Sequence, residues 1–270
     1  MAEPTTAARL PGLGPVFAGQ VRYQLLLLLR SPRAVWAGVL LPVMLLVLTN
    51  LQHAQVTASA LAGRVVLGVT LTAYLTHAGG LVAAREAGVL KRWRATPLPR
   101  WGYLAGRLCA TVLLALASGA VTVLAGVVAY NARLSVGAAL GLAVTLGLAA
   151  LAWACVGTAL TAFIPTAESA QPLLAFSYFP VMLLSGAFGG LGGMPGWLAG
   201  LLRCLPGQPT IDAATRALQA TGGLPVLPGP DLAVLAAWAV AALLASVRLF
   251  RWEPQSGGRA RRPARPAEGS

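Results

Sequence analysis

The chain of 270 residues has little charge, a single lysine and only two histidines. Charged residues make up 10% of it, whereas a soluble domain has about a quarter. Its mean hydropathy is +0.74, which is far on the apolar side. Because the one lysine, Lys91, lies between Leu90 and Arg92, no GxxxxGK[ST] phosphate-binding loop is present. The chain therefore cannot hydrolyse ATP by the P-loop route.

The patterns of metal sites and hydrolases are also missing. His53 and His77 stand 24 positions apart, with neither an HExxH motif nor an acidic neighbour. Cys109, Cys155 and Cys204 are widely spaced and form no CxxC pair. No GxSxG nucleophile elbow occurs either. We therefore expect no metal site, no cofactor bound by this chain and no catalytic residues.

What the sequence does contain is a series of nearly uncharged runs long enough to cross a bilayer. They predict an all-α polytopic membrane protein with six transmembrane helices, an N-terminal interfacial elbow helix and short external re-entrant helices. The predicted boundaries are a disordered start at 1–16, a membrane domain at 17–250 and a disordered basic tail at 251–270. Within the membrane domain we expect the elbow at 17–30, spans at about 34–50, 65–84, 108–129, 136–164, 168–188 and 232–247, and an external loop at 189–230.

Arginine and lysine are distributed unevenly between the predicted loops. Six spans place both termini on the same side as residues 85–107, and that side carries sixteen of the 20 basic residues. The positive-inside rule then predicts that both termini and residues 85–107 are cytosolic. Basic residues between apolar spans form no solvated basic face, so nucleic-acid binding is not expected despite the net charge of +13. We expect the arginines of the tail to meet anionic lipid.

Two predicted segments lie at the membrane surface. In the elbow, Arg22 and Arg30 flank the short run Leu25 to Leu29, as in a helix whose arginines reach for headgroups, with Tyr23 beside them. The alternative is that this run simply extends the first span. In the external loop, Pro195 predicts the start of one short helix, and Thr210 is a candidate cap of a second that ends near Ala220.

The predicted spans contain almost no ionisable residue, whereas ion-coupled transporters and channels keep charge at mid-membrane. His77 is the one ionisable residue well inside a predicted span. It is either a polar contact in a translocation path or a histidine bonded to a neighbouring helix. We regard His77 and Ser185 as candidate pathway residues. Without ion-coupling machinery, energy for transport would have to come from another chain on the cytosolic side.

The stretch REAGVLKRWRATPLPR at 85–100 departs from this pattern, because it concentrates charge, two prolines and a tryptophan between two apolar spans. Its residues Arg85, Glu86, Gly88, Lys91, Arg92, Arg94, Thr96, Pro97 and Leu98 resemble the signature that follows the second span in type-2 ABC exporter permeases, including daunorubicin-exporter-like and nodulation-exporter-like membrane subunits. The elbow at 17–30 and the segments LLSGAF, MPGWL and LPGQPTIDAATRAL resemble further parts of that family more loosely.

The resemblance implies a membrane subunit that forms a homodimer and binds two cytosolic ABC ATPase subunits, which would supply ATP and Mg. It also implies that the residues of 85–100 couple this chain to the ATPase. Helical spacing places Val89, Leu90 and Trp93 towards one face, while the cations lie largely around the other. Such a helix could seat its apolar face in a groove while its cations meet acidic partner residues. The alternative is a basic loop that only sets topology, although topology requires neither Glu86 nor the two prolines.

We therefore expect the permease half of an ATP-driven exporter. The alternatives are a non-transporting membrane scaffold or receptor and a membrane-embedded enzyme. Spans this apolar suit amphipathic drugs, lipids or lipid-linked sugars, and an aromatic content of 7% favours a small amphipathic substrate over a polysaccharide. Arginine outnumbers lysine 19 to 1, which suggests a GC-rich bacterial genome and a location in the bacterial cell membrane. Relatives of the resembled family from such genomes are often antibiotic exporters.

Overall fold

The computed structural model describes residues 13–30, 32, 36–51, 57–89, 100–130, 134–188 and 195–249. These residues form helices joined by short turns, without a strand among them. The predicted all-α fold is therefore confirmed. The predictions for most of the N-terminal start, for the C-terminal tail and for residues 90–99 lie outside the described residues.

Ten α-helices make up the described part of the chain, and two short π-helical segments accompany them. One π segment, Trp36–Leu40, leads into the second helix, and the other, Thr72–Thr76, joins the third helix to the fourth without a break. In chain order the helices are α1 Leu13–Leu29, α2 Leu41–Leu51, α3 Ala58–Leu71, α4 His77–Glu86, α5 Arg100–Tyr130, α6 Val136–Leu160, α7 Ala167–Leu184, α8 Gly196–Cys204, α9 Gly207–Leu218 and α10 Gly229–Leu249.

Four helical stretches are long and apolar enough to cross a membrane, namely Ala58–Glu86, Gly102–Tyr130, Val136–Leu160 and Gly229–Leu249. The stretch Gly38–Thr49 is apolar but shorter. Helix α7 contains Glu168, Gln171 and two prolines, which lower its hydropathy. The polytopic character is confirmed, whereas the count of six spans remains a prediction. The stretch Ala58–Glu86 is the most buried of the four, so the other helices surround it.

The helix of the second predicted span begins seven residues before the predicted Val65. Thr57 caps it, because its side-chain oxygen accepts a hydrogen bond from the amide of Ala60 at 3.2 Å. Arg64 lies inside the helix, and its guanidinium donates to the carbonyl of Ala60 at 2.9 Å and to the hydroxyl of Thr49 at 3.2 Å. Because these partners accommodate its charge, Arg64 lies inside the helix at a position where the sequence suggested that the helix begins.

The two π segments face each other at a point of close approach. A Cβ on Gly68 would lie 2.7 Å from the carbonyl oxygen of Gly38 and 2.8 Å from Pro42 Cγ. The hydroxyl of Ser118 on α5 donates to that same Gly38 carbonyl. Glycine at position 68 lets the backbone of α3 approach the backbone of the first π segment closely, as helices in membranes often do.

Two short helices lie between α7 and α10, as predicted for the external loop. Helix α8 begins directly after Pro195, in agreement with the prediction. The proposed cap at Thr210 is wrong, because α9 begins at Gly207 and Thr210 lies buried in its first turn. Its hydroxyl donates to the carbonyl of Pro206 at 2.5 Å instead of capping an amide. Threonine can satisfy its hydroxyl in this way inside a helix, which makes the capping prediction ambiguous.

Candidate functional site

Arg85 opens the 85–100 segment and is buried, with 2% of its surface exposed. Its guanidinium donates through Nη1 to the carbonyl of Thr161 at 2.9 Å and through Nη2 to the carbonyl of Ile164. Both carbonyls belong to the turn that follows α6. Arg85 therefore fastens the end of α4 to the turn after α6.

The chain turns sharply immediately after Arg85. Glu86 is exposed at the last position of α4. Gly88 has φ +69° and open space around the position of a Cβ, so the backbone conformation rather than packing favours glycine here. Its amide donates to the carbonyl of Arg85 at 3.2 Å, which closes the turn. The other predicted coupling residues, Lys91, Arg92, Arg94, Thr96 and Pro97, lie outside the described residues.

His77 lies buried between two neighbouring helices. Its Nδ1 is 2.7 Å from Thr111 Oγ1 on α5, and its Nε2 is 3.0 Å from Thr158 Oγ1 on α6. The hydroxyl of Thr158 already donates to the carbonyl of Ala154 at 2.8 Å, so it accepts from the ring. This pattern fits the tautomer with hydrogen on Nε2, which in turn lets Thr111 donate to Nδ1. His77 thereby ties three helices together.

Arg107 is buried next to His77, with 6% of its surface exposed. Nη2 donates to the carbonyl of His77 at 3.3 Å, and Nη1 lies 3.4 Å from both Gln24 Oε1 and the hydroxyl of Tyr103. Within the described part of the chain Arg107 forms no ion pair, and its Nε has no hydrogen-bond partner. The sequence placed this residue at the end of a span, whereas it lies inside α5.

The candidate elbow residues lie on α1, which packs on α5. Gln24 is buried against Arg107, whereas Arg22, Tyr23 and Arg30 are exposed. The structure therefore brings the elbow helix to Arg107 through Gln24 and leaves the three predicted residues on its outer side.

Ser185 caps the end of α7, far along the chain from His77. Its side chain is buried, and a Cβ on Gly207 at the start of α9 would lie 2.5 Å from its oxygen. Ala187, two residues after Ser185, lies against Gly63 in α3. Gly79, two residues after His77, lies instead against Gln171 near the start of α7. The structure therefore does not bring Ser185 and His77 together.

A groove of about 750 Å³ opens between the first π segment, the second predicted span and α7. Small-molecule sites commonly have this size and an apolar lining with a few polar groups. Aromatic side chains lie on two of its sides, and the polar groups are one hydroxyl and one amide. Its lining includes Trp36, Leu75, Thr76, Gly79, Gln171 and Phe179.

Helix α7 is held at this groove by its buried face. Tyr178 lies stacked on Tyr74 with ring centroids 5.7 Å apart, and its hydroxyl is 2.7 Å from Thr70 Oγ1. The hydroxyl of Tyr74 is 2.7 Å from Ser177 Oγ. Both anchors lie beside the π segment Thr72–Thr76. The other face of α7, with Phe176 82% exposed, is left uncovered by the described residues.

Sequence reasoning missed the groove, Gln171 and the role of Arg107. A lone glutamine within an otherwise apolar run was the available signal for Gln171, since a polar group in a span needs a partner. No comparable signal existed for the groove, which depends on which helices are neighbours. Among the described residues no group of three or more His, Cys, Asp or Glu side chains could hold a metal ion.

The fold is that of a multi-pass membrane protein with a groove beside Ala58–Glu86, the most buried of its long apolar stretches. Residues 30–248 match the family described as ABC-2 family transporter protein. The match covers most of the chain, so the chain belongs to this family and is a permease subunit of an ABC transporter, not an enzyme by itself. The comparison with curated proteins found no significant match.

Proposed function

We propose that the chain is the permease of an ATP-driven exporter that moves an amphipathic compound, drug-like or lipid-like, out of a bacterial cell. A separate ATPase subunit would bind the segment 85–100 in the cytosol and supply ATP and Mg. The family membership supports the transport role, and the absence of a P-loop from the sequence supports a separate ATPase.

The observation that carries this proposal is the path of α4. Gly79, Gly80 and Ala83 on this helix line the groove, and the same helix ends at Arg85 and Glu86. A force applied to the coupling segment therefore reaches the groove wall along a single helix of ten residues. Rigid helices displaced at one end are a common means of switching a site.

Arg85 links α4 to α6, so a force on the segment would act on both helices. Because its guanidinium is bonded to the turn after α6, a push on the segment moves α4 and α6 together. Helix α7 forms the far side of the groove and is anchored through Tyr178 and Ser177 to Thr70 and Tyr74, not to α4, so α4 can move relative to it. We propose that closure of two ATPases would widen the groove between α4 and α7.

The membrane part of the transporter would be a homodimer of this chain. The uncovered face of α7 carries Leu173, Phe176 and Leu183, whose large apolar surface suits either lipid or a second copy of the chain. Two copies would place their grooves around one path and their segments 85–100 over two ATPases. Both termini would be cytosolic, as the distribution of basic residues indicates.

Co-purification tests the proposal. The tagged chain, extracted from its own membranes in mild detergent, should retain a P-loop ATPase, and the complex should hydrolyse ATP. Retention of no ATPase, with the chain itself folded and monodisperse, would favour a scaffold. ATP hydrolysis that persists in the isolated chain would favour an enzyme.

A further inference from the structure

The groove contains two neutral polar groups. They are the side-chain amide of Gln171 on α7 and the hydroxyl of Thr76 in the second π segment. Gln171 is exposed and Thr76 is half-buried, so their polar atoms can reach a molecule in the groove.

The position of the Gln171 amide is well defined. A Cβ on Gly79 would lie 2.7 Å from Gln171 Nε2, so the amide crosses the groove and rests on the backbone of α4. A side chain at position 79 would displace the amide from this position. The amide offers donors and an acceptor, and the Thr76 hydroxyl offers one donor and an acceptor.

The apolar part of the groove surrounds these groups. Trp36 and Phe179, which are 56% and 42% exposed, present aromatic surface, and Leu71 and Leu75 present aliphatic surface. A molecule that fills the groove would thus place an alkyl or ring portion against these side chains and one polar group between Gln171 and Thr76.

The charges in and next to the groove further restrict which ligands it can bind. None of the residues that line the groove carries a formal charge. The cation Arg107 lies behind one wall of the groove, since a Cβ on Gly80, a lining residue, would lie 2.5 Å from its Nη2. Arg107 is buried and forms no ion pair within the described residues. Its positive charge lies behind Gly80 and therefore repels a cation bound in the groove.

We propose that this groove binds neutral amphiphiles that carry an amide, carbonyl or hydroxyl group, and that it discriminates against cationic amphiphiles. Gln171 and Thr76 determine the polar recognition, and Arg107 determines the charge preference. The inference rests on the proposed function for its biological meaning, because the bound molecule would be the exporter's substrate.

Binding can be measured without the ATPase. The full chain in lipid nanodiscs is titrated with three probes of equal length, each with a terminal bromine: undecanamide, undecyltrimethylammonium and undecanoate. Bromine quenches tryptophan on contact, and the difference between wild type and Trp36→Phe isolates quenching at the groove. The amide should quench Trp36 with at least tenfold higher affinity than the ammonium probe. Equal affinity for the two, or tightest binding of the carboxylate, would overturn the neutral class.

Substitutions at Gln171 make the test specific. Gln171→Leu should lower the affinity for the amide probe by about threefold to tenfold, which corresponds to the loss of one neutral hydrogen bond. The matched control Gln219→Leu, outside the groove, should leave binding unchanged. Gln171→Glu supplies a carboxylate and should raise the affinity for the ammonium probe. Unchanged amide binding in Gln171→Leu would refute the assignment.

These outcomes are separable from those of the proposed function. A chain that binds the amide probe through Gln171 but retains no ATPase contradicts the exporter and leaves the groove assignment standing. A complex that hydrolyses ATP and exports cationic compounds, while the amide probe fails to reach Trp36, contradicts the groove assignment alone.

Discussion

Arg85 and Gly88 are the two residues of the 85–100 segment whose local roles follow directly from geometry. Arg85 donates to two carbonyls in the turn after α6, and Gly88 turns the chain in a conformation that other residues rarely adopt. Both act on how the segment leaves α4. Glu86, beside them, is exposed.

Replacing Arg85 by Met should destabilise the protein strongly. Two carbonyls in the turn after α6 would lose a charged donor in a buried position, which costs about 3 kcal/mol. Thermal unfolding in detergent measures this as a lower midpoint. The exposed Arg248 provides the matched control, and Arg248→Met should leave the midpoint nearly unchanged. Equal midpoints for the two variants would contradict the anchoring role.

Replacing Gly88 by Ala should lower the unfolding midpoint for a different reason. The added Cβ meets no atom, so the whole cost is that of a positive φ in a residue with a side chain, about 1 kcal/mol. Gly19→Ala is the control, because Gly19 lies in α1 with open space around it and should be neutral or slightly stabilised by alanine. A Gly88→Ala variant as stable as Gly19→Ala would exclude a strained turn.

Among the elements, α3 lies close to the first π segment and to the start of α2 at Gly68. Gly68→Ala would push a Cβ against the backbone carbonyl of Gly38 and the ring of Pro42, neither of which can rotate away. Overpacking of this kind costs about 1–3 kcal/mol. Gly147→Ala on α6 is the control, since its Cβ would meet only Leu116 Cδ1 at 4.0 Å. Unfolding midpoints of the two variants should differ clearly, and similar values would contradict the close approach.

The helices were largely predictable from the sequence, because long uncharged runs and their caps are local features. Thr57 and Arg64 explain the main boundary error, since the arginine obtains its partners from Ala60 and Thr49 and so continues the helix. The π segments and the groove were not predictable. They depend on which helices become neighbours. Gln171, for example, lines the groove because α7 packs so that Gly79 lies opposite it.

For the whole molecule, the orientation in the membrane that we propose from the basic residues can be checked with a native cysteine. Cys204 is exposed at the end of α8, whereas Cys155 is buried. If the segment 189–230 is external, a membrane-impermeant maleimide should label Cys204 in intact cells, and Cys204→Ser should abolish that labelling. Labelling that requires permeabilised cells would place α8 in the cytosol and reverse the proposed topology.

Transmission from the segment 85–100 to the groove is the central claim, and one measurement tests it most directly. The permease and its ATPase are reconstituted in proteoliposomes, and transport and ATP hydrolysis are compared between wild type and the double variant Glu86→Ala, Arg92→Ala. The control removes the ion pair of Arg216 and Asp231, 2.8 Å apart, which lies near α9 and the start of α10. We predict that the first double variant inserts normally but loses transport and stimulated hydrolysis, while the control retains both. Wild-type transport by the Glu86→Ala, Arg92→Ala variant would contradict the account.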